Sequence, residues 1–383
     1  MKYSNYFLFF LGTLLFFLGC DRATPTNNYT EEVIVVTNEN SRKLSEIIES
    51  YRYIPLGDTK KLIGKIDQVL VNDDYIIVVD KQQSKTVYVF NHQGECLSEI
   101  NALGRSAAEY SIIDHVAIIP NGNNDIAILD SINKKILVYN ISGVFLNSYT
   151  IPIHIEGMEY IDNKNIICYT DAYIRKDVFF QNRDDANNLI FFTDGEYNII
   201  SSTLPNNTSR EISFTQPIVK NTIESIMVNP ALSTEIYAVK GRELYSMYKI
   251  DLSNLGVSIN FDNKSEQEIV NAIDKNLMFT GNFCLTSQYL LFSVSIPTEG
   301  GNHIYIYDKQ KKVCQHISID AAKGDAMLAG MSVSTTKAAY KDEFVGDISA
   351  YIVPMVYPQG ADIPILRNVN ENSNPILVFY KLK

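Results

Sequence analysis

Residues 75–97 read YIIVVDKQQSKTVYVFNHQGECL, and residues 125–146 read DIAILDSINKKILVYNISGVFL. Both copies run apolar strand, Asp, polar turn, apolar strand, turn with Gly, strand. Asp80 matches Asp130, a spacing of 50 residues. Val87-Tyr88-Val89-Phe90 matches Ile136-Leu137-Val138-Tyr139, and Gly94 matches Gly143. A period of about 40–50 residues holding several short strands is the signature of a β-propeller. Weaker copies follow. Residues 166–169 and 189–192 flank a long polar insert, closed by Asp194-Gly195. Residues 235–239 and 245–250 flank Lys240-Gly241-Arg242; 289–292 and 303–308 flank Gly300-Gly301; 376–380 is the last strand.

Five such units and one closing unit give six blades, with seven left open by the length. A ring must also close, because an unpaired first and last blade would expose two sheet edges to aggregation. Residues 33–36, 52–56 and 376–382 are therefore expected in one blade. Leu44, Ile47, Ile48 and Tyr51 fall at i, i+3, i+4 and i+7, which predicts a short amphipathic helix over 42–51. Ser265 and Glu268 have capping-box spacing, which predicts a helix over 264–276. Residues 358–374 read as a polar loop. The expected fold is all-β, a six-bladed propeller closed by N- and C-terminal strands, with short peripheral helices.

Composition agrees with that class. Of 383 residues, 46% are hydrophobic and 20% charged, so the chain can build a core. The 24 Tyr and 18 Phe, without Trp, lean towards pleated surfaces. A net charge of −11 repels phosphate backbones, so nucleic acid is not an expected partner.

The first twenty residues are an address. Lys2 gives a positive n-region, and an apolar stretch runs over residues 7–18. That is too short to span about 30 Å of hydrocarbon and fits a secretory h-region. Phe17-Leu18-Gly19-Cys20 resembles the lipobox of bacterial lipoproteins, with Phe17 in place of the usual Leu. The resemblance implies removal of residues 1–19 as a signal peptide and acylation of Cys20, which makes the membrane a partner. Residues 20–31 read as a flexible tether, and 32–383 as the propeller. The expected location is the cell envelope, as an outer-membrane lipoprotein on either the periplasmic or the surface face. Cys96, Cys168, Cys284 and Cys314 form no C-x-x-C pair and read as buried small hydrophobes; export also leaves disulfides open.

Asp130-Ser131-Ile132-Asn133-Lys134-Lys135-Ile136, with Tyr139 and Gly143, resembles the NHL repeat. The mature chain over about 44–383 resembles the six-bladed propeller lipoproteins of Bacteroidota, a TolB-like or NHL-like group. The matching features run in order: Ile54-Pro55-Leu56, Leu62-Ile63-Gly64-Lys65-Ile66, Gly104-Arg105 through Glu109-Tyr110, Tyr248-Lys249-Ile250-Asp251, and Asn374-Pro375-Ile376-Leu377-Val378. Where that family has Gly-Pro-Gly-Glu-Tyr, this chain has Ser106-Ala107-Ala108-Glu109-Tyr110. Membership implies export, a lipid anchor and a ring, but no particular activity.

Chemistry is sparse. No nucleophile elbow or phosphate loop is present. Of the five His residues, His92 reads as solvated in a hairpin turn, and His115, His154, His303 and His316 read as structural. Asp114 and His115 are adjacent on a strand and so point to opposite faces. Asp80 and Asp130 read as caps of strand-to-strand turns. The run Arg183-Asp184-Asp185-Ala186-Asn187-Asn188 lacks calcium-loop spacing and reads as a hairpin tip. No catalytic residue, metal site or cofactor is assigned. The expected function is a non-catalytic binding module for a protein, peptide or glycan. The alternative is a metal-dependent NHL-like lyase or lactonase-type propeller enzyme. The candidate contact is the loop 104–110, whose Arg105, Glu109 and Tyr110 would bring a cation, an anion and an aromatic to the channel mouth.

Overall fold

The structure, a computed structural model, describes residues 30–39, 41–170, 185, 188–205, 218–220, 225–230, 233–255, 268, 271, 278–296, 301–318, 336–353 and 363–383. The signal stretch, Cys20 and most of the tether lie outside them, as do most of 183–188 and the first part of 358–374. Of 264–276, only Glu268 and Asn271 are described, both helical.

The described part of the chain starts on the outside, with β1 (Glu32–Val35), β2 (Ser41–Lys43), one helical turn α1 (Leu44–Ile47) and β3 (Ile48–Pro55). Blade 1 is β4 (Gln68–Val71), β5 (Ile76–Asp80), β6 (Thr86–Phe90) and β7 (Cys96–Ile100). Blade 2 is β8 (His115–Ile118), β9 (Ile126–Asp130), β10 (Lys135–Tyr139) and β11 (Phe145–Thr150). Blade 3 is β12 (Gly157–Tyr160), β13 (Asn165–Tyr169), β14 (Asn188–Asp194) and β15 (Ile199–Pro205). Blade 4 is β16 (Ile218–Lys220), β17 (Ile226–Val228), β18 (Glu235–Lys240) and β19 (Glu243–Asp251). Blade 5 is β20 (Met278–Leu285), β21 (Tyr289–Ile296), β22 (Gly301–Asp308) and β23 (Val313–Ser318). Blade 6 is β24 (Ala338–Tyr340), β25 (Glu343–Ile348) and β26 (Ile376–Leu382), with β3 as its outer strand.

The first strands β24, β4, β8, β12 and β16 touch in turn, and β20 touches β24, so they surround a central channel. Six apolar clusters fill the gaps between adjacent blades. Ile77, Val79 and Val89 of blade 1, for example, pack on Val116, Ile126 and Ile128 of blade 2. Because side chains alternate along a strand, a middle strand such as β5, fully buried at all five positions, serves two interfaces at once.

Closure is as expected at one end only. Residues 52–56 do meet the C-terminal strand: β3 pairs antiparallel with β26, Ile54 opposite Leu377. Residues 33–36 do not. β1 runs parallel to β19 on the outer edge of blade 4, and β2 runs parallel to β23 on blade 5. The N-terminal segment is thus a strap that covers two outer edges before closing the ring. Its apolar side explains the placement: Ile34 and Val36 are buried against Ile250 and Tyr305, while Val33 and Val35 face out. The helix expected over 42–51 shrinks to α1, because residues 48 onwards are drawn into the ladder with β26.

Asn and Asp occupy the turns, for a local reason. After the third strand, Asn91 Oδ1 accepts the amides of Gln93 (3.0 Å) and Glu95 (2.9 Å). Asn140 does the same with Ser142 and Val144, and Asp194 with Glu196 and Asn198. The left-handed position in these turns is Gly94 (φ 86°), Gly143 (φ 81°) and, in blade 3, Tyr197 (φ 66°). A Cβ at Gly94 would lie 2.3 Å from the carbonyl oxygen of Pro55. The four described cysteines beyond the tether are free thiols. Burial pushes Cys168, Cys284 and Cys314 up to about 12, so they are inert.

Candidate functional site

Turns between second and third strands share one face of the ring with the blade-to-blade connections. The Asp residues matched in the repeat bolt these two kinds of loop together. Fully buried Asp80 accepts the amides of Gly64 (2.9 Å), Gln83 (2.8 Å) and Ser84 (3.1 Å). Asp130 accepts those of Ser111 (2.7 Å) and Asn133 (3.2 Å). Ser131 beside it is buried.

The loop 104–110 lies on this face and links β7 to β8. The structure separates its three candidate residues. Tyr110 is fully buried, and its hydroxyl donates towards the carbonyls of Lys85 (2.8 Å) and Ile100 (3.0 Å). Burial drives its phenol pKa far up. Glu109 Oε2 accepts the amides of Ser106 and Arg105, both at 2.8 Å, which hold its carboxyl below the usual range. Gly104 allows this fold-back, since a Cβ there would lie 2.1 Å from Glu109 Oε2. The Tyr139 hydroxyl donates to the Ala108 carbonyl (2.5 Å), and Lys135 Nζ donates to the carbonyls of Ser106 (3.2 Å) and Glu109. The amide of Ser106, where the family pattern has Gly, is therefore already used. Of the three, Arg105 alone keeps its side chain exposed, on a loop whose backbone is held from inside.

A second polar set lies on the first strands. Asp67-Gln68-Val69 of blade 1 and Asp114-His115-Val116 of blade 2 occupy equal places. Asp67 Oδ2 accepts the Lys81 amide (2.9 Å), and Asp114 Oδ2 the Ser131 amide (2.8 Å). Gln68 Nε2 donates to the Val116 carbonyl (2.7 Å) and its Oε1 accepts the Val116 amide (3.1 Å). Its side chain thus behaves as a peptide group joining two blades. His115 turns away from Asp114, as strand alternation requires, and Nε2 lies 3.5 Å from Glu159 Oε1 on β12. Both side chains are 2% exposed. Burial lowers the His115 pKa, and Glu159 opposes that shift. Lys81 Nζ reaches the Asp114 carbonyl (2.5 Å), and its pKa too is lowered by burial. The sequence reading missed Gln68 and Glu159; the repeated Asp-polar-Val triplet was the available signal for the first.

On blade 6, Asp347 Oδ1 is buried without a hydrogen bond, and Lys337 Nζ stands 3.8 Å away. Burial outweighs that long ion pair and raises Asp347 to about 6 from 3.8. A carboxyl whose folded pKa is raised binds its proton more tightly when folded. Its penalty is therefore absent below about pH 4, grows between about 4 and 6, and is complete above. At neutral pH it amounts to about 3 kcal/mol. Asp347→Asn is expected to stabilise the protein by about 2 kcal/mol at pH 7.5 and to change little at pH 4.5, measured by urea unfolding. Equal destabilisation at both pH values would show that the charge is needed by Lys337 instead.

The other histidines divide. His92 Nε2 lies 2.9 Å from the Asn72 carbonyl, in a turn. His303 and His316, isolated in the sequence, touch each other across β22 and β23. Asp185 accepts the Ser202 hydroxyl (3.1 Å). Among the described residues, no three His, Cys, Asp or Glu side chains converge as a metal centre, and no helix is long and apolar enough to cross a membrane.

A family model described as "Domain of unknown function (DUF4934)" matches residues 31–381. No curated protein matches the chain. Among solved structures, a "Putative exported protein" of Bacteroides fragilis NCTC 9343 superposes with a TM-score of 0.74 at 17% identity, over 92% of this chain and 100% of that one. A member of the DUF4221 family from Bacteroides vulgatus ATCC 8482 gives 0.51 at 9% identity, over 88% and 97%. A streptogramin B lyase gives 0.41 at 10%, over 87% and 98%. At these identities the two Bacteroides structures share the fold.

Proposed function

We propose, from the premise that the chain belongs to the family described as domain of unknown function DUF4934, that it is an exported, envelope-anchored binding module without catalysis of its own. Two things support the location: the n-region, h-region and Cys20 of residues 1–20, and the exported-protein name of the Bacteroides fragilis relative in fold. The observation that carries the binding reading is the loop 104–110. Its backbone is fixed from inside by Tyr110, Glu109, Lys135 and Tyr139, and Arg105 stands outside. A pre-ordered loop with one exposed cation loses little entropy on binding. Arg105→Ala is expected to lower retention of an envelope component on immobilised protein at least tenfold, with the melting temperature unchanged. Equal retention by both proteins would remove Arg105 from the site.

One observation favours the metal-dependent enzyme reading: His115 and Glu159 converge from two first strands within 3.5 Å. Two donors, each 2% exposed, offer a substrate little access. In the binding reading Glu159→Gln leaves ligand retention intact.

A further inference from the structure

The N-terminal strap passes from blade 4 to blade 5 beside two imidazoles. The Tyr305 hydroxyl donates to Asn38 Oδ1 (2.6 Å), and Ser41 Oγ meets His316 Nδ1 (3.0 Å). In the ladder of β22 with β23, Tyr305 lies opposite His316 and Ile304 opposite Ile317. Residues opposite one another share a face, and so do residues two apart on a strand. His303, Tyr305 and His316 therefore stand on one face. His303 Nδ1 and His316 Nε2 approach to 3.2 Å, with ring centroids 5.2 Å apart and planes inclined by 33°.

Those distances can be compared with two geometries. Two imidazoles on one tetrahedral ion, with bonds of about 2.05 Å, hold their nitrogens about 3.3 Å and their centroids about 5.2 Å apart. A bent hydrogen bond from His303 Nδ1–H to His316 Nε2 spans the same distance, so a bound ion would take the place of the proton the two rings share. We propose that His303 Nδ1 and His316 Nε2 form a two-histidine site for a divalent transition-metal ion such as zinc or copper. Ser41 is the orienting group. By accepting a hydrogen bond from His316 Nδ1–H, it fixes the tautomer whose Nε2 lone pair faces the ion. The site is rigid, since both histidines sit on paired strands over fully buried Tyr305. It is also reachable, since both imidazoles are only half-buried.

The test uses the purified full chain, stripped with a chelator and titrated with zinc chloride in a calorimeter. One equivalent is expected to bind and to raise the melting temperature. His303→Gln and His316→Gln should each weaken binding at least tenfold and abolish that rise, while their metal-free melting temperatures stay within a few degrees. Ser41→Ala should weaken it by about tenfold, and His92→Gln not at all. Copper(II) bound to the unmutated chain should show two imidazole nitrogens by electron paramagnetic resonance, which decides the matter even if a variant misfolds. No bound equivalent, binding unaltered in both histidine variants, or a copper spectrum without two nitrogens overturns the proposal.

Discussion

A chain ending at Pro375 is expected to be recovered unfolded or aggregated, not as a ring of five blades. β26 is a middle strand of blade 6, with β25 on one side and β3 on the other. Ile376, Leu377, Val378, Phe379 and Tyr380 are each 0% exposed. At about 1.5–3 kcal/mol per buried side chain, their loss removes about 10 kcal/mol. That equals the whole stability of an ordinary domain. Both ladders go with them, so two sheet edges open. Phe379→Ala is the graded version. It loses the ring beneath the Arg52 guanidinium, 3.9 Å from its centroid, and should cost about 3–5 kcal/mol. Circular dichroism and limited proteolysis check the truncation. A soluble product with a cooperative melt would mean that blades 1–5 close without the sixth.

Cys20→Ala is expected to move the protein from the membrane fraction to the soluble fraction almost completely. Each buried CH₂ of an acyl chain contributes about 0.8 kcal/mol, so two or more chains anchor firmly and none does not. Among the described residues, the buried apolar side chains face one another across six interfaces, and no helix is long and apolar enough to cross a membrane. Detergent partitioning and the intact mass of the mature protein measure this. A variant that still enters the detergent phase would place the anchor elsewhere.

The outer three strands of most blades were legible because buried middle strands demand continuous apolar runs. IIVVD and TVYVF, or IAILD and KILVY, are buried almost throughout and bounded by turn residues. The first strands were not legible. QVLV, GMEY and AAY are short, and they mix polar and small residues where they approach the channel. The candidate loop was visible as a motif, but its residues' roles were not. Nothing in Gly104-Arg105-Ser106-Ala107-Ala108-Glu109-Tyr110 says that Tyr110 turns inward to the carbonyls of Lys85 and Ile100. The metal-site pair was equally hidden, since 13 residues separate His303 from His316 and only strand register brings them together.

The sequence by itself determined the repeat, the middle and outer strands within most units and the turn chemistry of Asp80 and Asp130. These depend on local patterns, period two in strands and short polar side chains folding back on nearby amides. Tertiary structure alone decided that residues 33–36 leave the closing blade for blade 4, that Gln68 spans two blades, that Glu159 meets His115 and that Arg105, unlike Glu109 and Tyr110, is exposed. Each of these is a choice among distant partners of similar local character. It is settled by which apolar faces the closed ring leaves to be covered, and no local pattern carries that information.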